Sequence, residues 1–156
     1  SFNQGIENLK KNNLNEAINE YVSSGKHLLG ICLGMQLLFE SSEEFDAKSG
    51  LSLIKGYVKS LINEKNYPVP HIGWNNLQIK TANHQFLKDL TINDNFYFIH
   101  SYFVEISEKI DTLIKTIYGN NNFTSLIIKD NMYGTQFHPE KSGKKGLKIL
   151  RNFINL

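Results

Sequence analysis

Cys32 is the only cysteine in the 156-residue chain, and it stands between two glycines in the run Gly30-Ile31-Cys32-Leu33-Gly34. Gly-x-nucleophile-x-Gly is the form of a sharp strand-to-helix turn that exposes its central side chain. The flanking glycines have a steric reason, because the turn brings backbone segments so close that a Cβ on either side would collide. At a helix start, unpaired N–H groups and the positive end of the helix dipole favour thiolate over thiol, which predicts a reactive sulfur. The same geometry aims the Leu33 N–H at any oxyanion formed when Cys32 attacks a carbonyl. The alternative is a small buried cysteine with no chemistry, since a lone cysteine makes no internal disulfide.

A thiol nucleophile needs a base that takes its proton and later returns one to the leaving group. Of the five histidines, His138 is the one that closes an apolar run, Met132 to His138, and is followed by Pro139-Glu140. Two residues apart on an extended segment, His138 and Glu140 point the same way, so the carboxylate can hold one ring nitrogen while the other faces the sulfur. Alone, such a pair is more often a surface ion pair than a catalytic dyad. The elbow makes it a candidate base and orienting acid, in the chain order nucleophile, base, acid.

These groups need elements to hold them. Apolar residues recur at three- and four-residue steps from Asn3 to Ser24, which predicts one broken or two short amphipathic helices. His27–Ile31 reads as a buried strand and Leu33–Glu40 as a helix, which places Cys32 at their junction. Short extended runs follow at Tyr57–Ile62, His71–Ile79, Asn95–Val104, Thr112–Tyr118, Phe123–Lys129 and Met132–His138, with a tight hairpin at Asp130-Asn131. Gly146 to Leu156 closes the chain with one apolar helical face. The pattern is that of a single α/β domain over residues 1–156, with antiparallel pairs in its later half. Because it starts in a polar turn and helix, where a doubly wound sheet opens with a strand, residues natural to the fold are expected to precede Ser1.

Net charge is +2, from 17 basic and 15 acidic residues, and the clustered basic excess of a nucleic-acid binder is lacking. Lys141, Lys144 and Lys145 read as a solvated loop. No apolar run reaches the ~20 residues of a membrane span, so a cytoplasmic, membrane-free protein is expected. No histidine and cysteine cluster has metal-ligand spacing, and neither a metal nor a cofactor is expected.

Taken together, Gly-Ile-Cys-Leu-Gly-Met-Gln and Gln-Phe-His-Pro-Glu resemble the class I, or triad, glutamine amidotransferases. Within that family, Pro70-His71-Ile72-Gly73-Trp74-Asn75, Phe96 to Tyr102 and Phe137 to Gly143 are similar to the glutaminase subunits of imidazole glycerol phosphate synthases in histidine biosynthesis. The resemblance implies a Rossmann-like or flavodoxin-like α/β fold, a mixed sheet flanked by helices, lacking its N-terminal strands in this chain. It implies Cys32 as the nucleophile that forms a γ-glutamyl thioester, His138 as acid and base, and Glu140 as orienting carboxylate. It also implies contacts from Gly34, Gln36, His100, Ser101 and Tyr102 to the substrate L-glutamine, although a strand-end histidine satisfied by its neighbours is an equal reading of His100. His71, Trp74 and Asn75 match the stretch that faces a (β/α)8-barrel cyclase in a heterodimer; a lone Trp is otherwise a core residue. In the family a Pro-Gly-Val-Gly stretch upstream supplies a second oxyanion donor, and Ser1 to Gly5 resembles its continuation. A chain without that stretch is expected to be a poor enzyme.

Three other readings stand beside this one. They are a paralogous subunit feeding a different synthase, a free-standing cysteine hydrolase, and an interaction subunit that keeps the fold without turnover.

Overall fold

The computed structural model describes residues 1–44, 49–79 and 84–156. Two helices open the chain, α1 (Phe2–Lys11) and α2 (Leu14–Ser23), broken at Asn13, whose positive φ of 55° interrupts the helical path. Strand β1 (Leu28–Ile31) leads through Cys32 into α3 (Leu33–Leu37), and the short β2 (Ser41–Ser42) follows. The helix is shorter than the apolar run to Glu40 suggests. After Leu37 the chain turns back, with the Phe39 carbonyl accepting from Ser52 and the Glu40 carbonyl from Gly50.

The later half supplies β3 (Gly56–Ser60), β4 (His71–Asn76), β5 (Asn95–His100), β6 (Tyr102–Ile106), β7 (Thr112–Tyr118), β8 (Asn121–Lys129), β9 (Met132–Thr135) and finally α4 (Gly143–Ile154). They form a four-stranded sheet in the order β1-β9-β8-β7, a three-stranded sheet β2-β3-β6 and the pair β4-β5. The β1–β9 pairing is parallel, with Ile31 opposite Thr135, while β9–β8 and β8–β7 are antiparallel. The hairpin expected at Asp130-Asn131 joins β8 to β9, with Asp130 at φ 51°. One expected run, Asn95–Val104, is two strands: the chain bends at Ser101, so β5 pairs with β4 and β6 with β3.

Strand β8 explains the layering. It is buried on both faces, and period-two alternation sends Leu126 and Ile128 into one core and Ile127 into the other. The first core holds Phe86, Phe96, Phe98, Phe123, Tyr133, Phe137 and Ile149, which lie under α4 and the β4–β5 pair. The second holds Phe2, Ile6, Met35, Leu38, Val58 and Val104, beneath α1 and α3. A mixed sheet covered on both sides is the α/β arrangement expected, and it carries β1 and β9 side by side to one end. Among the described residues no helix is long and apolar enough to cross a membrane.

Candidate active site

Cys32 has φ 50° and ψ −107°, a conformation rare for any residue with a Cβ and costing about 1–3 kcal/mol. Its backbone is held there from both sides. The Cys32 N–H donates to the Thr135 carbonyl at 2.7 Å, and the Cys32 carbonyl accepts from the Gln36 N–H at 3.2 Å, pinning the residue between β9 and α3. The two flanking glycines differ in role. A Cβ on Gly30 would lie 2.7 Å from backbone atoms of Gly34 and Met35, so close packing of strand on helix requires glycine there. A Cβ on Gly34 would meet nothing within 4 Å, so that position borders open space rather than a crowded turn.

The sulfur is partly buried. Its S–H points to the Ile99 carbonyl at 3.9 Å, and the Gln136 amide donates to it at 3.5 Å. Burial raises the Cys32 thiol above its ordinary value, and the Glu140 charge adds to this; the Leu33 N–H, the Gln136 amide and the Lys141 charge act in the opposite direction without cancelling it. The resting residue is a thiol, contrary to the thiolate expected from a helix start. Desolvation outweighs the few oriented N–H groups of a five-residue helix. A base is therefore required.

His138 is two residues beyond Gln136, at the same end of the sheet as Cys32, because β1 and β9 run parallel and in register up to Ile31 and Thr135. Its Nδ1 lies 2.6 Å from Glu140 Oε1. A carboxylate only accepts, so Nδ1 carries the proton and Nε2 is the free, basic nitrogen. The pair meets through a 3-10 turn at Pro139–Lys141, not through alternation along an extended strand. The histidine backbone is fixed by its N–H donating to the Tyr97 carbonyl at 2.9 Å and by its carbonyl accepting from Ser142 Oγ at 2.6 Å. Ser142 in turn accepts from the Tyr97 N–H at 2.9 Å, and it is buried. Ser142 and Gln136 lie inside the matched motifs but carried no role in the sequence, because neither titrates and each acts by holding another group.

The remaining candidates divide. Gln36 is buried, and its Nε2 donates to the Tyr102 carbonyl at 2.9 Å and to Gln136 Oε1 at 3.0 Å, which commits the amide nitrogen. His100 is 6% exposed, with Nδ1 2.8 Å from the Tyr102 carbonyl and Nε2 3.1 Å from His71 Nδ1. Its side chain is the satisfied strand-end histidine of the alternative reading. The Ser101 carbonyl accepts from the Leu61 N–H. His71 was expected to face a partner, but its side chain is 2% exposed and stacks between the rings of Phe98 and Tyr118. Register explains why: on the β4–β5 pair His71 and His100 share the inner face, while Ile72, Trp74, Ile99 and Tyr97 share the outer one. Trp74 is 57% exposed and touches Tyr97, and Asn75 is tied by its Nδ2 to the Ile117 carbonyl. Among the described residues no group of three or more His, Cys, Asp or Glu side chains is arranged to hold a metal ion.

A family model described as "Glutamine amidotransferase class-I" matches residues 3–156. Two similar relatives are both named "Imidazole glycerol phosphate synthase subunit HisH". The one from Caldanaerobacter subterraneus subsp. tengcongensis is 47% identical, over 98% of this chain and 73% of its own length. The one from Sulfurimonas denitrificans is 46% identical, over 98% of this chain and 74% of its own length. Among solved structures, a glutamine amidotransferase superimposes with a TM-score of 0.68 at 15% identity, covering 94% of this chain and 69% of the other. PurLQS from Thermotoga maritima superimposes with a TM-score of 0.65, also at 15% identity, covering 91% and 67%. At that identity the likeness is one of fold.

Proposed function

The chain belongs to the class-I glutamine amidotransferases, and on that footing we propose that it is the glutaminase subunit of an imidazole glycerol phosphate synthase in histidine biosynthesis. It hydrolyses L-glutamine to glutamate and ammonia. The observation that carries the reading is the strained Cys32 turn beside the strand end bearing the His138–Glu140 pair, whose carboxylate leaves Nε2 free to act as base.

The reaction follows from these positions. With the side-chain amide of glutamine over the sulfur, His138 Nε2 takes the thiol proton and Sγ attacks the carboxamide carbon. The oxyanion that forms is held by the Leu33 N–H. His138 then gives its proton to the nitrogen, the C–N bond breaks, and ammonia leaves behind a γ-glutamyl thioester. Water loses a proton to His138 and attacks the thioester, and the C–S bond breaks to release glutamate and restore the thiol. Glu140 steadies the imidazolium at each step. We assign the contacts to the substrate chain to Gly34, Gln36, Ser101, Tyr102 and the His100 backbone on the strength of the family resemblance.

Ammonia in bulk water becomes ammonium and loses its lone pair, so a glutaminase that serves synthesis delivers its product to a joined partner. We assign that partner as a (β/α)8-barrel cyclase in a heterodimer, docked on the outer face of the β4–β5 pair, where Trp74, Ile72 and Ile99 are exposed. A reducing compartment such as the cytoplasm suits the free thiol.

A glutamine-analogue electrophile tests the chemistry. It is expected to label Cys32, seen as a mass shift on the peptide containing it, and to leave Cys32→Ala unlabelled. Glutamate release is expected to rise when a barrel cyclase and its nucleotide ligand are added. A folded chain that resists labelling at Cys32 sinks the glutaminase reading; turnover indifferent to the cyclase sinks only the partner assignment.

A further inference from the structure

The buried side chains beside the sulfur form a continuous hydrogen-bonded chain, and one main-chain oxygen decides where every proton in it lies. The Tyr102 carbonyl can only accept. It is approached on one side by Gln36 Nε2 at 2.9 Å and on the other by His100 Nδ1 at 2.8 Å. The Gln36 amide is thereby oriented nitrogen-inward, and its second proton goes to Gln136 Oε1 at 3.0 Å. With its oxygen so engaged, Gln136 has its nitrogen left to face Cys32 Sγ, at 3.5 Å. Along the other arm His100 carries its proton on Nδ1, so its bare Nε2 accepts from His71 Nδ1 at 3.1 Å.

We propose that the buried Gln36–Gln136 amide pair positions the nucleophile electrostatically, with Gln136 presenting an N–H to the Cys32 sulfur and Gln36 fixing which way round Gln136 stands. The inference rests on Cys32 being the nucleophile of the proposed function.

Gln136 is fully buried and its backbone N–H is held by the Ser125 carbonyl at 2.9 Å, so its side chain cannot turn away from Gln36 and Cys32 without leaving polar atoms unpaired. Turned over, its nitrogen would face the Gln36 nitrogen and its oxygen would face the sulfur. A thiolate in that arrangement meets a lone pair, whereas in the observed one it meets a donor, which favours the charged form. This matters at Cys32 because desolvation works against the thiolate and Glu140 adds repulsion, with Lys141 the opposing cation; His138 is the acid and base, and His100 and His71 close the far end. Glutamic acid in place of Gln136 would set a second anion against the sulfur, so an amide is the functional group the position requires.

The pH dependence of Cys32 alkylation by iodoacetamide tests this, measured on the chain as it stands for the parent, Gln136→Met and Gln36→Met, with circular dichroism to report folding. Gln136→Met keeps the length and removes the donor. Its alkylation midpoint is expected to move up by about one pH unit or more, which is a tenfold loss of thiolate at fixed pH. Gln36→Met leaves the donor present but unoriented, and a smaller upward move is expected. A folded Gln136→Met with the parent midpoint overturns the proposal, and so does a folded Gln36→Met with the parent midpoint if Gln136→Met does not fold. A structural role alone lowers the melting temperature and leaves the midpoint where it is. Failure of a glutamine analogue to label Cys32 would sink the glutaminase reading while leaving these midpoints intact.

Discussion

His71 Nδ1 and His100 Nε2 face each other at 3.1 Å in the interior, with the two side chains 2% and 6% exposed. Burial lowers His71 to about 4 and His100 to about 3 from an ordinary value of 6.5, so both are neutral when folded. In the unfolded chain both take up protons as the pH falls through about 6.5. The unfolded state then binds more protons, and stability falls on acidification. The contribution is complete above pH 6.5 and is lost between there and the folded values near 4 and 3. Each histidine adds about 1.4 kcal/mol per pH unit to the slope within its window. Urea midpoints at pH 7.5, 6 and 5 should fall steadily, and His71→Gln, which keeps a donor for His100 and has no proton to gain, should lose about half of that slope.

His138 and Glu140 are expected to separate by size of effect. His138→Asn removes the group that moves protons in both half-reactions, and kcat should drop by about 10²–10⁴. Glu140 is 46% exposed, so water replaces part of its support for the ring. Glu140→Gln should cost roughly ten- to a hundredfold, with KM for glutamine little changed. Glutamate release assayed at saturating and limiting glutamine distinguishes the two, and equal losses would contradict the orienting role.

The glycines around Cys32 give opposite outcomes. Gly30→Ala drives a Cβ to 2.7 Å from backbone of Gly34 and Met35, which has no room to move, and should lower stability by about 1–3 kcal/mol. Gly34→Ala meets nothing within 4 Å, and alanine favours the helix, so the melting temperature should hold or rise slightly. Its methyl then stands where glutamine is proposed to lie, and KM should rise. Thermal melts read the first effect and steady-state kinetics the second.

Trp74 is 57% exposed on the outer face of the β4–β5 pair, and its removal should leave the fold intact. If it anchors the cyclase, Trp74→Ala should weaken the complex by about 2 kcal/mol, near 30-fold in Kd. Calorimetric titration of the cyclase into parent and variant gives the number directly. His71→Gln should affect binding less, since its side chain faces inward.

Spacing alone singled out Cys32 as the candidate nucleophile and His138 with Glu140 as a pair, because a cysteine bracketed by glycines and a histidine followed by proline and glutamate are local patterns. It also revealed the hairpin at Asp130-Asn131. The bend at Ser101 escaped, since Asn95 through Val104 reads as one extended run and nothing local says that it changes sheets. The inward turn of His71 escaped for a related reason: which face of a strand is covered depends on Phe98 and Tyr118, which are distant in the chain. The thiol's protonation was misjudged because a helix start is visible in sequence while the burial that outweighs it is a property of the whole assembly. Gln136 sat in plain view two residues before His138, yet its role needs Gln36, 100 residues away, and the Tyr102 carbonyl, which belongs to a different sheet.

That carbonyl belongs to the main chain, so no side-chain replacement can delete it. Every other member of the chain of contacts running from β4 to the sulfur can be swapped by a single codon, but its hub cannot. Sequence drift in this protein can therefore alter the histidine end of that chain, while the direction in which its donors point is protected at the centre for as long as the backbone turns the same corner between β5 and β6.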